Sequence, residues 1–247
     1  MSREVIAVIP ARMGSTRFPG KVAYLYKGKP LLFYIWHSVK KSRTIDRVVI
    51  ATDSGEVESL AKSFGAEAIR TSSRHRTGSD RVAEVMSRLP GALYINVQAD
   101  NFGLSGRVFD PVVRWMLAHP KEMYATLARR IRAEHDLDRT DCTKVVGSHD
   151  AYALWFSRLP LPFIRDAHGR NRIAQYRFLE HIGVYFFRPD GLARFAGWKR
   201  TAIEKAESLE QLRILEHGGR IRLFVTGARS ISIDSPKDLN AIESLIR

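Results

Sequence analysis

The first apolar run of the chain, VIAVI (Val5 to Ile9), contains no polar position, the pattern of a strand covered on both faces. RVVIATD (Arg47 to Asp53), the short EAIR and ALYINV (Ala92 to Val97) read as further strands. Between them the spacing turns helical. PLLFYIWHSVK (Pro30 to Lys40) has the length of a short helix. EVESLAKSF follows a capping Ser54 and stops at Gly65, and a third helix is expected from about Gly78 to Leu89. In the second half YATLARRI, TKVVG, AYALWFSR, EHIGVYFFR and RIRLFV read as strands, with the Leu159-Pro160-Leu161-Pro162 turn closing the third. One helix is expected over Glu204 to His217 and another after Ser235-Pro236, while Arg165 to Arg177 reads as a long mobile loop.

Strands alternating with helices predict an α/β domain with a mainly parallel central sheet. Ligands bind such sheets beyond the carboxyl ends of the strands, where Asp53, Gln98-Ala99-Asp100 and the stretch after Ile9 all fall. No repeat or low-complexity linker divides the chain, so residues 1–247 are read as a single domain.

Composition narrows the partners. Of 247 residues, 45% are hydrophobic and 27% charged, an ordinary globular balance. No apolar run approaches the ~18 residues of a membrane span, and the N-terminal run enters a charged loop, as a buried strand does and a signal peptide does not. The lone Cys142 excludes an intrachain disulfide and a cysteine metal cluster, which makes the cytoplasm the default location. Lys and Arg number 40 against 26 Asp and Glu, a net charge of +14. These cations are spread through Lys40-Lys41, Arg129-Arg130-Arg132, Arg165 to Arg177 and Lys199-Arg200 with no nucleic-acid module. That spread supports a solvated basic surface, with an anionic membrane or a small anionic substrate open as partners and specific nucleic-acid binding not expected.

The charge has a local focus. VIPARMGSTRFPGK (Val8 to Lys21) places Arg12, Arg17 and Lys21 among Gly14, Ser15, Pro19 and Gly20. The spacing misses the P-loop, since Gly14 and Gly20 lie six apart and Val22 stands where Ser or Thr belongs, and G-x-G-x-x-G is absent. Close-approaching amides beside cations are still the chemistry of a phosphate-binding turn.

This segment resembles the N-terminal signature of the 3-deoxy-manno-octulosonate (KDO) cytidylyltransferases, also called CMP-KDO synthetases. The resemblance continues in order through RVVIATD, the His75-Arg76-Thr77-Gly78-Ser79-Asp80-Arg81 segment, YINVQAD, ALWFSRLPLPF, LEHIGVYFFR, ESLEQLRILEHG and SIDSPKDL. It implies a three-layer fold like the nucleotide-diphospho-sugar transferases, with a mixed, mainly parallel sheet and a smaller β-rich lobe at about residues 120–190 that serves sugar binding and homodimerisation. It implies transfer of CMP from CTP to an acidic 3-deoxy sugar with release of pyrophosphate, for lipopolysaccharide or capsule synthesis. By the same resemblance Arg12, Lys21 and Asp100 are the catalytic candidates. Pro10, Ala11, Ser15, Arg17, Thr77, Gly78, Ser79 and Gln98 join Arg12 and Lys21 on the nucleotide, and Asp100 with Asp234 holds Mg²⁺. Arg158, His181, Tyr185, Glu210 and Gln211, with Arg165, are candidates for the sugar acid. His181 and Tyr185 also fit packed strand positions, and Glu210 and Gln211 fit an exposed helix face.

One segment departs from the family pattern. Where the family reads Q-G-D-E-P, this chain has Gln98-Ala99-Asp100-Asn101-Phe102. A carboxylate beside the metal position is lost, the proline that stiffens the loop is gone, and Phe102 is expected to add bulk near the sugar. Two alternatives follow: a cytidylyltransferase retuned for an amino-KDO or sialic-acid type of substrate, or a non-catalytic basic nucleotide- or RNA-binding protein. Retention of Arg12, Lys21, Asp100 and Asp234 favours an active enzyme.

Overall fold

The structure, a computed structural model, describes residues 3–14, 18–167, 171–228, 230–233 and 238–239. The chain enters the sheet with β1 (Val5–Pro10), turns through β2 (Leu25–Tyr26) and β3 (Lys29–Pro30), and continues into α1 (Leu31–Val39). Next come β4 (Arg47–Thr52), α2 (Gly55–Ser63), β5 (Glu67–Arg70), α3 (Gly78–Arg88) and β6 (Leu93–Val97). A short β7 (Asn101–Phe102) and α4 (Asp110–Ala118) lead to β8 (Tyr124–Arg130), α5 (Glu134–Asp138), β9 (Lys144–Gly147) and β10 (Ala153–Ser157). Then follow α6 (Arg172–Gln175), β11 (Leu179–Phe187), α7 (Pro189–Gly197), α8 (Ala202–Glu207), α9 (Leu212–Glu216), β12 (Ile221–Thr226) and β13 (Ile231–Ser232).

The half of the sheet built from β5, β4, β1 and β6 is parallel, and it places the loops after β1, β4 and β6 along one edge. β11 then runs antiparallel to β6, so the sheet is mixed. This strand serves two partners in turn: its second half pairs with β6, while Leu179 and Glu180 pair with β9. β8 covers its other side and carries the parallel β12. A bridge between Tyr152 and Arg222 brings the β10 side back toward β12, giving the second half its β-rich lobe. The register of β11 on β8 shifts between Ile182 and Tyr185.

The two sheet faces explain the unbroken apolar runs. Val5, Ala7 and Ile9 of β1 pack toward α1 and α4, whereas Ile6 and Val8 pack toward α3, α7 and α9. Every one of these five side chains is buried, each removing roughly 1–3 kcal/mol of apolar exposure from water according to size. The result is three layers, helix on sheet on helix.

Most expected elements form where the pattern placed them, and Ser54 caps α2 by accepting from the Val57 amide. The exceptions have physical reasons. The helix expected over Glu204 to His217 is two helices, because Ser208 adopts a left-handed φ of 53° and breaks it. Helices α4 and α7 start at Asp-Pro and Pro-Asp, an entry signal outweighed in the sequence by the strands on either side. The stretch read as a long loop contains α6, tied down by Arg172 to Glu134 and Asp138 at 2.7 Å each. The closing helix falls largely on residues outside those described.

Candidate active site

Gly20 takes a left-handed φ of 69° and turns the chain after β1 into a single helical turn, Lys21–Ala23, that carries Lys21 inward. Phe18 is buried beneath that loop in an edge contact with Tyr24, and the Gly20 amide donates to the Met13 carbonyl. The Lys21 side chain is 9% exposed. Its Nζ lies 3.5 Å from Asp100 Oδ2 and donates to the Ile233 carbonyl at 2.7 Å. One buried ammonium therefore joins three segments: the loop after β1, the turn after β6 and the chain immediately before residue 234. Asp100 itself is 40% exposed and faces outward from that corner. Arg12 is exposed at the start of the loop after β1 that carries Lys21.

The second group assembles at the start of α3. Thr77 accepts from the Asp80 amide while Asp80 accepts from the Thr77 amide, a capping box that fixes the turn. The Ser79 amide donates to Glu210 Oε2 at 3.3 Å, and Gln98 Nε2 donates to Glu210 Oε1 at 3.5 Å. A Cβ on Gly78 would stand 2.8 Å from Gln98 Nε2, so glycine is what lets this side chain lie against the helix start. Burial raises the Glu210 pKa above the ordinary carboxylate value, against hydrogen bonds from Thr77 and Ser79 that lower it.

The third group is a hydrogen-bond chain with one consistent direction. Thr126 donates to the Val184 carbonyl at 2.7 Å, so its oxygen accepts from His181 Nε2 at 2.9 Å. His181 Nδ1 is then the acceptor facing Gln211 Nε2 at 3.5 Å, and Gln211 Oε1 accepts from the Tyr185 hydroxyl at 2.9 Å. This order requires neutral imidazole, and burial pushes the His181 pKa down to about 3. Burial, with Glu210 nearby, also raises Tyr185 well above its ordinary value.

Sequence expectation and placement can now be compared. Ser15, Arg17 and Asp234 lie outside the described residues. Lys21 and Asp100 meet, as do Gly78, Ser79, Gln98 and Glu210. Glu210 and Gln211 are not exposed helix positions: they sit between the αL break and α9, and Gln211 is 1% exposed. His181 has both ring nitrogens engaged within the protein, which makes it a positioning residue for Gln211. Arg158 is not brought to this chain. Its guanidinium donates to the carbonyls of Glu207, Thr140 and Ser208, clamping the loop that follows β10. Arg165 is exposed in a single turn, Arg165–Ala167. The Ala11 amide is spent on the Ala51 carbonyl, so the Pro10-Ala11 turn cannot offer that donor to a base. Asp53 pairs with Arg81 at 3.3 Å, tying the end of β4 to α3.

The Asn101-Phe102 departure also resolves differently from expectation. Phe102 is 2% exposed within the core beside α1 and α4, and adds no bulk to the polar groups above. The loop is not freed either, because β7 pairs antiparallel with β13. Asn101 Nδ2 donates to the Gly183 carbonyl at 2.9 Å, a bond that a carboxylate could not make. Sequence reading missed this role and that of Thr126, since neither residue type in a strand announces a partner far along the chain.

Residues 6–222 match the family model described as cytidylyltransferase. A protein of Geobacter sulfurreducens named 3-deoxy-manno-octulosonate cytidylyltransferase is 39% identical over 246 residues, covering 96% of this chain and 97% of that one. One of the same name from Thermodesulfovibrio yellowstonii is 37% identical, covering 98% and 97%. Among solved structures, a CMP:2-keto-3-deoxy-manno-octonic acid synthetase complexed with CTP superposes with a TM-score of 0.89 at 33% identity, covering 98% of each chain. A glucose-1-phosphate thymidylyltransferase-like protein of Bacillus anthracis, 13% identical with a TM-score of 0.68 and covering 98% of this chain and 95% of that one, shares the fold alone. The chain belongs to the 3-deoxy-manno-octulosonate cytidylyltransferase family.

Proposed function

We propose that this chain joins CMP from CTP to the anomeric hydroxyl of 3-deoxy-manno-octulosonate. The new bond runs from the sugar oxygen to the α-phosphorus, the bridge to the β-phosphate breaks, the hydroxyl proton is lost and pyrophosphate leaves. The observation that carries this reading is the buried Lys21 ammonium set between Asp100 and the Ile233 carbonyl. It holds the turn after β6 and the segment before Asp234 against the cationic loop, where an anionic triphosphate is neutralised by position rather than by covalent chemistry.

Arg12, exposed on that loop, is the group available to the phosphates. Asp100 offers hard carboxylate oxygens on the open side of Lys21, a donor set that fits Mg²⁺, and Asp234 would supply the second carboxylate. Bound there, Mg²⁺ would neutralise phosphate charge and polarise the α-phosphate. Gln98, held by Glu210, keeps Oε1 as an acceptor for the cytosine amino group. Glu210, by accepting from Ser79, fixes the helix start beneath it. Tyr185, Gln211 and His181, bonded to one another, form the buried polar layer that would back the sugar-acid side of the site.

The same reading carries a cytoplasmic location and a homodimer. No helix among the described residues is long and apolar enough to cross a membrane. Leu154, Leu159 and Phe163 are 58%, 66% and 84% exposed within ten residues of the β-rich lobe, a concentration that suits a partner surface. A Phe163→Asp variant should sediment as a monomer where the unaltered chain sediments as a dimer. Equal sedimentation of the two would remove this surface.

The function is tested by pyrophosphate release from CTP and Mg²⁺ with 3-deoxy-manno-octulosonate, its amino analogue or sialic acid offered separately. Release with the first is expected. No release with any of the three, in protein that binds CTP, overturns the reading.

A further inference from the structure

Beside the N-terminal end of α3 lies a cleft of about 510 Å³ whose walls carry Arg74, Arg76, Lys199, Arg200, Lys205 and Arg213. Three separate segments supply these cations: the loop before α3, the loop between α7 and α8 with α8 itself, and α9. Their neutralisation is incomplete. Arg213 is 2% exposed and is held bidentately by Glu204, with Asp80 at 3.3 Å and the Phe195 carbonyl at 3.2 Å. Arg200 shares Glu204 at 3.1 Å. Among the described residues, the side chains of Arg74, Arg76, Lys199 and Lys205 have no carboxylate partner. Among the described residues, four cations without a carboxylate partner thus line one cleft whose lining carboxylate, Asp80, is already committed to Arg213 and the Thr77 amide.

We propose that this cleft is a second anion site, separate from the loop after β1, and that it takes a compact polyphosphate. Bringing like charges together in one concavity is unfavourable unless an anion occupies it, and guanidinium and ammonium groups from several directions suit the many oxygens of linked phosphates. The wall also argues against larger partners. Trp198 is stacked on His217 at 4.3 Å with an interplanar angle of 10°, so one face of this single large aromatic side chain in the lining is already taken. Ala196 and Trp198 are the apolar lining of the cleft, too little to seat an acyl chain. What remains is phosphate chemistry without a base or a lipid tail.

The cleft shares a residue with the candidate active site. Asp80 turns Oδ1 to Arg213 and Oδ2 to the Thr77 amide, in the capping box that orders the turn beneath Gln98. An anion that draws on Arg213 therefore acts on the carboxylate that also holds that turn.

Calorimetric titration of the full chain with inorganic tripolyphosphate tests the proposal. The Lys199→Glu/Lys205→Glu double variant should weaken binding at least tenfold. Measured with the loop after β1 saturated by CTP, binding at the cleft should stay within about twofold in an Arg12→Ala variant and in a Lys41→Glu/Lys121→Glu variant of equal charge change. Unchanged binding in Lys199→Glu/Lys205→Glu overturns the site. So does loss confined to Arg12→Ala, which would put the polyphosphate on the loop after β1, or equal loss in both double variants, which would mark diffuse attraction to a basic surface. Thermal melting of each variant verifies that the fold is retained.

Discussion

The side-chain amide of Asn101 donates to the carbonyl of Gly183 at 2.9 Å, at the point where the register of β11 shifts. Gly183 lies between His181 and Tyr185, and a Cβ there would touch both Asn101 Nδ2 and Gln98 Cγ. Asn101 thus fixes the distance between the Asp100 turn and the strand carrying the sugar-side residues. An Asn101→Asp variant has the same shape but cannot donate, and leaving the carbonyl unpaired costs about 1–3 kcal/mol. KM for the sugar acid should rise at least tenfold while KM for CTP moves less than threefold. Equal rises in both, or no rise in either, would show that the amide does not set this geometry.

Asp100→Asn removes the exposed charge without changing size. Lys21 keeps the Ile233 carbonyl, so melting should shift by no more than about 1 kcal/mol of stability. Turnover should fall by roughly a hundredfold or more, since a metal-side carboxylate acts mainly on the transition state. Near-normal turnover at saturating Mg²⁺ would take Asp100 out of the metal site.

Gly78→Ala separates stability from function. In the first turn of α3 alanine is the better helix former by up to about 1 kcal/mol, yet its Cβ would displace the flexible end of Gln98 from 2.8 Å. The melting temperature should stay level or rise, while CTP binding measured without sugar weakens about tenfold. Unweakened CTP binding would mean that Gln98 does not read the base.

The strands and the mainly parallel sheet were legible because the apolar runs are unbroken, as the burial of Val5 to Ile9 on both faces requires. The turn after β1 was legible as well, since the Gly20 bend that carries Lys21 inward is built within one loop, whereas the meeting of Lys21 with Asp100 and the Ile233 carbonyl joins distant segments that no spacing marks. The sugar side was harder to read. Gln211 reaches Tyr185 only because Ser208 breaks a helix that its neighbours favour, and no spacing rule marks a serine for φ of 53°. The placement of Arg158 was hidden for a related reason: in sequence a guanidinium beside a motif looks available, whereas here it donates to the carbonyls of Glu207, Ser208 and Thr140, brought to it from other parts of the chain. Phe102 looked intrusive until β7 was seen to turn its ring into the core.

His181 makes the last prediction one of sign. Its folded pKa of about 3 lies below the ordinary 6.5, so between those values the unfolded chain binds the extra proton. The stability that neutral His181 contributes is present above pH 6.5 and is lost as pH falls toward 3, at a slope of at most about 1.4 kcal/mol per pH unit. Protonation would also reverse Nδ1 from acceptor to donor and set it against Gln211 Nε2, which donates to it. Glutamine at position 181 keeps a donor and an acceptor but does not titrate. Carboxylates with lowered pKa, such as Asp110 and Glu84, contribute acid lability to both proteins and cancel in the comparison. Urea unfolding of the unaltered chain and of His181→Gln should therefore show a stability gap that is widest near pH 7 and narrows steadily toward pH 4. A gap that stays constant across that range would mean that His181 is not held neutral by the fold.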